Sequence, residues 1–153
     1  MTALTGRLAG LALGCVLALA ASAADTQRFV ARERLPSGAT LVLAEGDFEA
    51  RSLGSFSLRL YAPADDPQDA TTFFSDGLVH PRDGSLESLL LVDLDGDSAP
   101  EAVVTARSAG SGSYLAAYAF RIRDGKLHAL ISLDGLAADA SPVPALRAAL
   151  ESR

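Results

Sequence analysis

The chain has one cysteine, Cys15, and two histidines, His80 and His128, among its 153 residues. A lone cysteine cannot close an internal disulfide, so the fold must rest on its apolar core. Two isolated histidines, one before Pro81 in an expected loop and one on an expected strand, offer little to acid–base or nucleophilic chemistry. The motifs that carry such chemistry are also missing: there is no His-x-x-x-His pair, phosphate-binding loop or dinucleotide fingerprint. Ser111, in Ala-Gly-Ser-Gly-Ser, lacks the glycines two positions to either side that a nucleophile elbow requires; Ala109 and Ser113 stand there. Neither catalysis nor a bound cofactor is expected. Basic residues are outnumbered 13 to 19, for a net charge of −6. That balance disfavours nucleic acid and anionic membrane as partners. The longest apolar run, Leu8 to Ala20, falls short of the roughly 20 residues needed to cross a bilayer. No repeat, heptad or low-complexity tract is present.

The apolar run has another reading. Arg7 precedes it, and Ala21-Ser22-Ala23 follows with the small-x-small form of a signal-peptidase site. Residues 1–23 therefore read as a secretory signal and residues 24–153 as one exported domain, free of the membrane after cleavage between Ala23 and Ala24. Lipid attachment at Cys15 fits less well. Ala12 stands where a larger aliphatic residue is usual, and Val16 to Ala20 continue the apolar run past the cysteine. Cys15 and Arg7 both leave with the signal, so the exported domain has no thiol and is more acidic still.

The remainder alternates short apolar runs with Gly, Asp, Pro and Ser, the pattern of an all-β chain. Arg28 to Arg34 and Ala39 to Ala44 flank Leu-Pro-Ser-Gly, a hairpin signal. In Ser55 to Tyr61, Phe56, Leu58 and Leu60 alternate with Ser55, Ser57 and Arg59, giving one buried and one wet face. Ser88 to Val92 and Glu101 to Arg107 flank an acidic turn. Leu115 to Arg123 and Lys126 to Leu133 flank Asp124-Gly125, a tight-turn pair. On the last strand Leu127, Ala129, Ile131 and Leu133 share a face, with His128 opposite. Ala62 to Ser75 reads as containing a loop. A short helix is expected from Ser141-Pro142, with Val143, Leu146 and Leu150 at helical spacing. About eight strands at this spacing predict an antiparallel β-sandwich or flattened barrel with a short C-terminal helix.

Two segments carry chemistry beyond the fold. In Asp-Leu-Asp-Gly-Asp-Ser-Ala-Pro-Glu, Asp93, Asp95, Asp97 and Glu101 fall at the alternating positions of calcium-loop ligands. Ser98 replaces the sharp-turn glycine and Val104 replaces the closing glutamate of that pattern, and a solvated turn uses the same residue types. A calcium-binding β module is the alternative function this segment supports. The second segment, Arg-Ser-Ala-Gly-Ser-Gly-Ser-Tyr, is a long tip of small residues ending on Tyr114. An unbroken strand would place Tyr114 on the core face with Tyr118, Phe120 and Ile122, whereas a strand starting after the tip frees it. The residues alone leave a binding finger and a plain hairpin tip level.

Taken in order, Glu-Gly-Asp-Phe-Glu-Ala-Arg-Ser-Leu-Gly-Ser-Phe-Ser-Leu-Arg-Leu-Tyr, Pro-Arg-Asp-Gly, Leu-Val-Asp-Leu-Asp-Gly-Asp-Ser-Ala-Pro-Glu-Ala-Val-Val and the segment ending in Tyr-Leu-Ala-Ala-Tyr-Ala-Phe resemble the periplasmic inhibitors of i-type (invertebrate) lysozyme, over nearly all of the exported chain. The most specific element is the Ser-Gly-x-Tyr loop, matched by Ser111, Gly112, Ser113 and Tyr114. The resemblance implies that this loop enters the cleft of an i-type lysozyme, with Ser111 and Tyr114 making the contact. Gly110 and Gly112 would allow its sharp path. It also implies an antiparallel sandwich, a homodimer, a periplasmic location in a Gram-negative bacterium and a role in evading host defence.

Overall fold

Hydrophobic alternation builds the first sheet. Strands β1 (Val30–Arg34), β2 (Thr40–Glu45), β3 (Leu53–Tyr61) and β4 (Phe74–Asp83) form an antiparallel meander in sequence order. β3 buries Phe56, Leu58 and Leu60 and exposes Arg59, as its period-two pattern predicts. The turn at Leu35–Ala39 closes with Leu35 N–H donating to Ala39 O at 2.8 Å. These features come from a computed structural model that describes residues 27–153; the expected signal, its cleavage site and Cys15 lie outside the described residues.

β4 corrects the reading of His80 as a loop residue. Its Gly, Pro and Asp are depleted in strands, which hides it in the sequence. β4 is the edge of its sheet, where a proline without an N–H is tolerated. Pairing with β3 sets His80 opposite Phe56, and the rings stack 5.2 Å apart at 23°.

The second sheet, β5 (Ser85–Val92), β6 (Glu101–Arg107), β7 (Leu115–Arg123) and β8 (Lys126–Leu136), is also an antiparallel meander. Asp124 (φ +53°) and Gly125 (φ +70°) both take the left-handed conformation that a two-residue hairpin turn needs. The core between the sheets joins Leu41, Leu43, Phe56 and Leu58 to Leu89, Val104, Tyr118 and Phe120. The fold is a sandwich of two four-stranded sheets and not a closed barrel.

β6 and β7 read as apolar on both faces because both faces are covered. Helix α1 (Pro142–Glu151) lies on the outer side of the second sheet, where Leu146 is fully buried among Leu94, Val103, Ala117 and Ala119. The face shared by Leu127, Ala129, Ile131 and Leu133 in the sequence is broken in β8. Ala119 pairs with Ile131 but Phe120 with Ala129, so a bulge absorbs Leu130. Leu127 then enters the core between the sheets, while Leu130, Ile131 and Leu133 pack on the helix side.

Only Gly84 separates β4 from β5, so the chain turns from one sheet into the other at a single corner. Its φ is +87°, and a Cβ there would stand 1.8 Å from the Arg107 carbonyl oxygen; no other residue fits. The buried Arg82 guanidinium grips this corner. It donates to the carbonyls of Ser55 (3.1 Å), Arg51 (3.0 Å), Ala50 (3.3 Å) and Gly84. The equally buried Glu45 carboxylate lies 3.8 Å from Arg82 and accepts from Leu86 N–H at 3.0 Å. The paired charges and their hydrogen bonds satisfy groups that would otherwise be costly to bury.

Candidate functional site

The two segments singled out by sequence lie at opposite ends of β6, separated by a strand of seven residues, or about 20 Å at roughly 3.3 Å per residue. The acidic turn precedes Glu101 and the Ser-Gly-x-Tyr loop follows Arg107.

The acidic turn directs its oxygens inward. Asp93 accepts from the backbone N–H groups of Gly96 (2.7 Å) and Ser98 (2.9 Å), and Asp97 accepts from Ala99 N–H (2.8 Å). Glu101, almost fully buried, accepts from Leu94 N–H at 2.9 Å. Asp93, Asp95 and Glu101 bring one carboxylate oxygen each within 4.8 Å of one another; Asp97 stands outside that group and faces Arg123 at 3.4 Å. A positive charge is already supplied there. Arg121 pairs with Asp95 through Nη2, and its Nε lies 3.4 Å from Glu101 Oε1.

The loop at the other end presents its side chains outward. Ser111, Gly112, Ser113 and Tyr114 are all exposed, Tyr114 to 54 %. The strand begins at Leu115, and Ser113 turns the chain at φ +45° just before it. The parity that would carry Tyr114 into the core is thus broken, while Tyr118 and Phe120 remain buried. The Tyr114 ring folds over Gly112, where an added Cβ would meet Cε2 at 2.3 Å. Among the described residues, the hydroxyls of Ser111 and Tyr114 have no hydrogen-bond partner.

Exposed side chains do not make this a loose loop. Ser108 N–H donates to Tyr114 O at 2.9 Å and closes its base, and Ser113 N–H donates to Gly110 O at 3.0 Å across the tip. Arg107 reaches up to the Ser113 carbonyl (2.9 Å) and across to the Ala138 carbonyl (3.0 Å), while its guanidinium pairs with Glu87. Nothing in the sequence marks Arg107 for this task. It depends on the bulge in β5 after Leu86, which brings Glu87 alongside. Beneath the loop, Gly84 packs against Arg107 and Ser108. The loop is therefore a pre-ordered projection with three free hydroxyls, those of Ser111, Ser113 and Tyr114, and an aromatic ring, standing on a corner fixed by Arg82.

This arrangement has counterparts. Residues 27–150 match the family model of PliI, periplasmic lysozyme inhibitor of I-type lysozyme. The crystal structure of the periplasmic lysozyme inhibitor of I-type lysozyme from Aeromonas hydrophila is 44% identical, with a TM-score of 0.72 over 77% of this chain and 98% of that one. The same Aeromonas protein in complex with Meretrix lusoria lysozyme also matches, at 44% identity and a TM-score of 0.72, over 78% of this chain and 95% of that one. No curated protein matches the chain. With the family model covering nearly all of the described residues and the sandwich shared with a relative of this identity, the chain belongs to the family of periplasmic inhibitors of I-type lysozyme.

Proposed function

We propose that this protein inhibits an I-type lysozyme in the periplasm by inserting residues 110–114 into the enzyme's cleft. The observation that carries the reading is the set of exposed, unpartnered hydroxyls that includes Ser111 and Tyr114, on a loop whose backbone is internally bonded. Glycoside hydrolysis places two carboxyl groups across a sugar-binding cleft. A narrow loop of glycine and serine can reach those groups. Ser111 donates to carboxylate oxygen, Tyr114 fills a sugar position with its ring and donates through its hydroxyl, and Gly110 and Gly112 keep the tip slender. Pre-ordering limits the entropy lost on binding. No bond is made or broken; the loop excludes substrate.

The test is a cell-wall lysis assay with the purified exported protein against i-, c- and g-type lysozymes. Inhibition of the i-type enzyme is expected. Full i-type activity at micromolar protein would overturn the proposal.

A further inference from the structure

Phe48 has no folding reason to stand where it does. Its side chain is fully exposed, at 105 %, the highest value among the exposed large apolar residues. Its backbone sits at φ +61°, a left-handed conformation that glycine or asparagine adopts far more readily than a bulky aromatic residue. Such conformations persist where the surroundings over-determine them, and they cluster at functional positions.

The surroundings here do so. The Glu49 carboxylate sits in a notch left by two glycines, where an added Cβ at Gly46 or Gly54 would lie 2.4 or 2.3 Å from its Oε2. It accepts from the Ser55 backbone N–H at 2.5 Å and the Ser55 hydroxyl at 2.8 Å, and these bonds hold its pKa below the usual glutamate value. Arg28 donates to the Glu49 carbonyl, and Arg82 donates to the carbonyls of Ala50 and Arg51. Before Phe48, Gly46 N–H donates to the Ser55 carbonyl at 2.9 Å, so the backbone is strapped down on both sides and the ring stands out in water.

This loop shares its footing with the Ser-Gly-x-Tyr loop. Gly84 donates its N–H to the Ser52 carbonyl at 2.8 Å, and the same glycine packs against Arg107 and Ser108. Phe48 and Tyr114 therefore project from the same end of the sandwich, each on a loop seated against one corner residue. We infer that Phe48 is a second anchor on the lysozyme, docking on an apolar surface that flanks the cleft entered by Tyr114. This inference rests on the function proposed above. Binding energy in such contacts concentrates in a few aromatic residues, and a ring carried on a backbone fixed before binding spares the cost of ordering that backbone on docking. The exposed Phe73 provides an internal control. It precedes β4, and its carbonyl accepts from Ala62 N–H beyond the end of β3, at the opposite end of the first sheet.

The experiment measures affinity for an i-type lysozyme by calorimetry, together with thermal unfolding, for the parent and for Phe48→Ala, Phe48→Asn, Phe73→Ala and Tyr114→Ala. Both Phe48 variants should bind about tenfold or more weakly and melt no earlier than the parent, and Phe73→Ala should bind like the parent. Asparagine tolerates the positive φ, so that variant keeps the loop even where alanine disturbs it. If the parent binds, Tyr114→Ala is weakened and both Phe48 variants stay within twofold of the parent, the inference falls and the proposed function stands. A parent that does not bind removes both. Should Phe48→Ala split a dimer into monomers with affinity unchanged, Phe48 is a contact between copies and the inference is overturned.

Discussion

The two loops that bracket β6 are both short, polar and rich in Gly, Ser or Asp, yet they dispose of their polar groups in opposite ways. The acidic turn uses its carboxylates on its own backbone N–H groups and on Arg121 and Arg123. The Ser-Gly-x-Tyr loop satisfies its backbone through Ser108, Ser113 and Arg107 but leaves three side-chain hydroxyls and a ring facing solvent. A loop with its donors and acceptors already matched stabilises the fold. One that is stiff but unmatched supports the proposed insertion into a partner. The distinction lies in the hydrogen-bond ledger and not in composition, which is why residue types alone left the two readings of residues 108–114 level.

The comparison is broken most severely at the loop tip. Under the proposed function, Ser111 and Tyr114 would each supply a hydrogen bond to a charged group, worth roughly 1.5–3 kcal/mol, and truncating a central aromatic commonly costs about 2 kcal/mol or more. The double variant Ser111→Ala/Tyr114→Ala should bind an i-type lysozyme about 3–6 kcal/mol more weakly, a factor on the order of 10² to 10⁴. Its Tm should match the parent's, because Tyr114 is half exposed and belongs to neither core cluster. Early melting with inhibition retained would return Tyr114 to a structural role.

Glu101→Ala gives the reverse phenotype. It orphans the buried Leu94 N–H, at a cost of roughly 1–3 kcal/mol. Thermal unfolding should show a fall of several degrees, while inhibition measured well below the transition stays at the parent's level. A folded Glu101→Ala protein that no longer inhibits would place the acidic turn in the binding surface.

How far the sequence foretold this division differs between fold and site. The bounds of β6, the Asp124-Gly125 turn and the helix opening at Pro142 follow from local patterns, since each is dictated by neighbours in the chain. β4 escaped because Gly77 and Pro81 violate strand propensity and are tolerated only at a sheet edge, a property of topology. The split face of β8 escaped for a related reason: a bulge is set by the partner strand. Ser111 and Tyr114 were picked out by family resemblance, whereas parity pointed Tyr114 inward. The φ of Ser113 decides the matter, and no residue type announces it.

Arg107→Ala sharpens the comparison by loosening the loop without changing any side chain of its tip. The variant loses the bonds to the Ser113 and Ala138 carbonyls and the pair with Glu87. The free loop should become mobile, and the ordering cost moves to the binding step. A loss of about 1 kcal/mol, roughly fivefold in affinity, is expected. Faster exchange of the Ser108 and Ser113 amide hydrogens should accompany it. Unchanged affinity alongside faster exchange would mean that pre-ordering contributes nothing to binding.

The smallest effect is expected at the outer acids of the turn. In Asp95→Asn/Asp97→Asn, the oxygens that accept from Asp97 N–H and Ala99 N–H are retained as amide carbonyls. Only the ion pairs with Arg121 and Arg123 are weakened, and both arginines are partly solvent-exposed. Pairs of that kind contribute between zero and about 1 kcal/mol each, so the Tm should move by no more than a few degrees, and less in high salt. Inhibition should not change, because about 20 Å of β6 lies between these residues and Tyr114. The decisive measurement is inhibition titrated alongside the parent on the same lysozyme preparation. A tenfold loss from a double variant that melts normally would show that the acidic turn reaches the partner, and the contrast between the two ends of β6 would collapse.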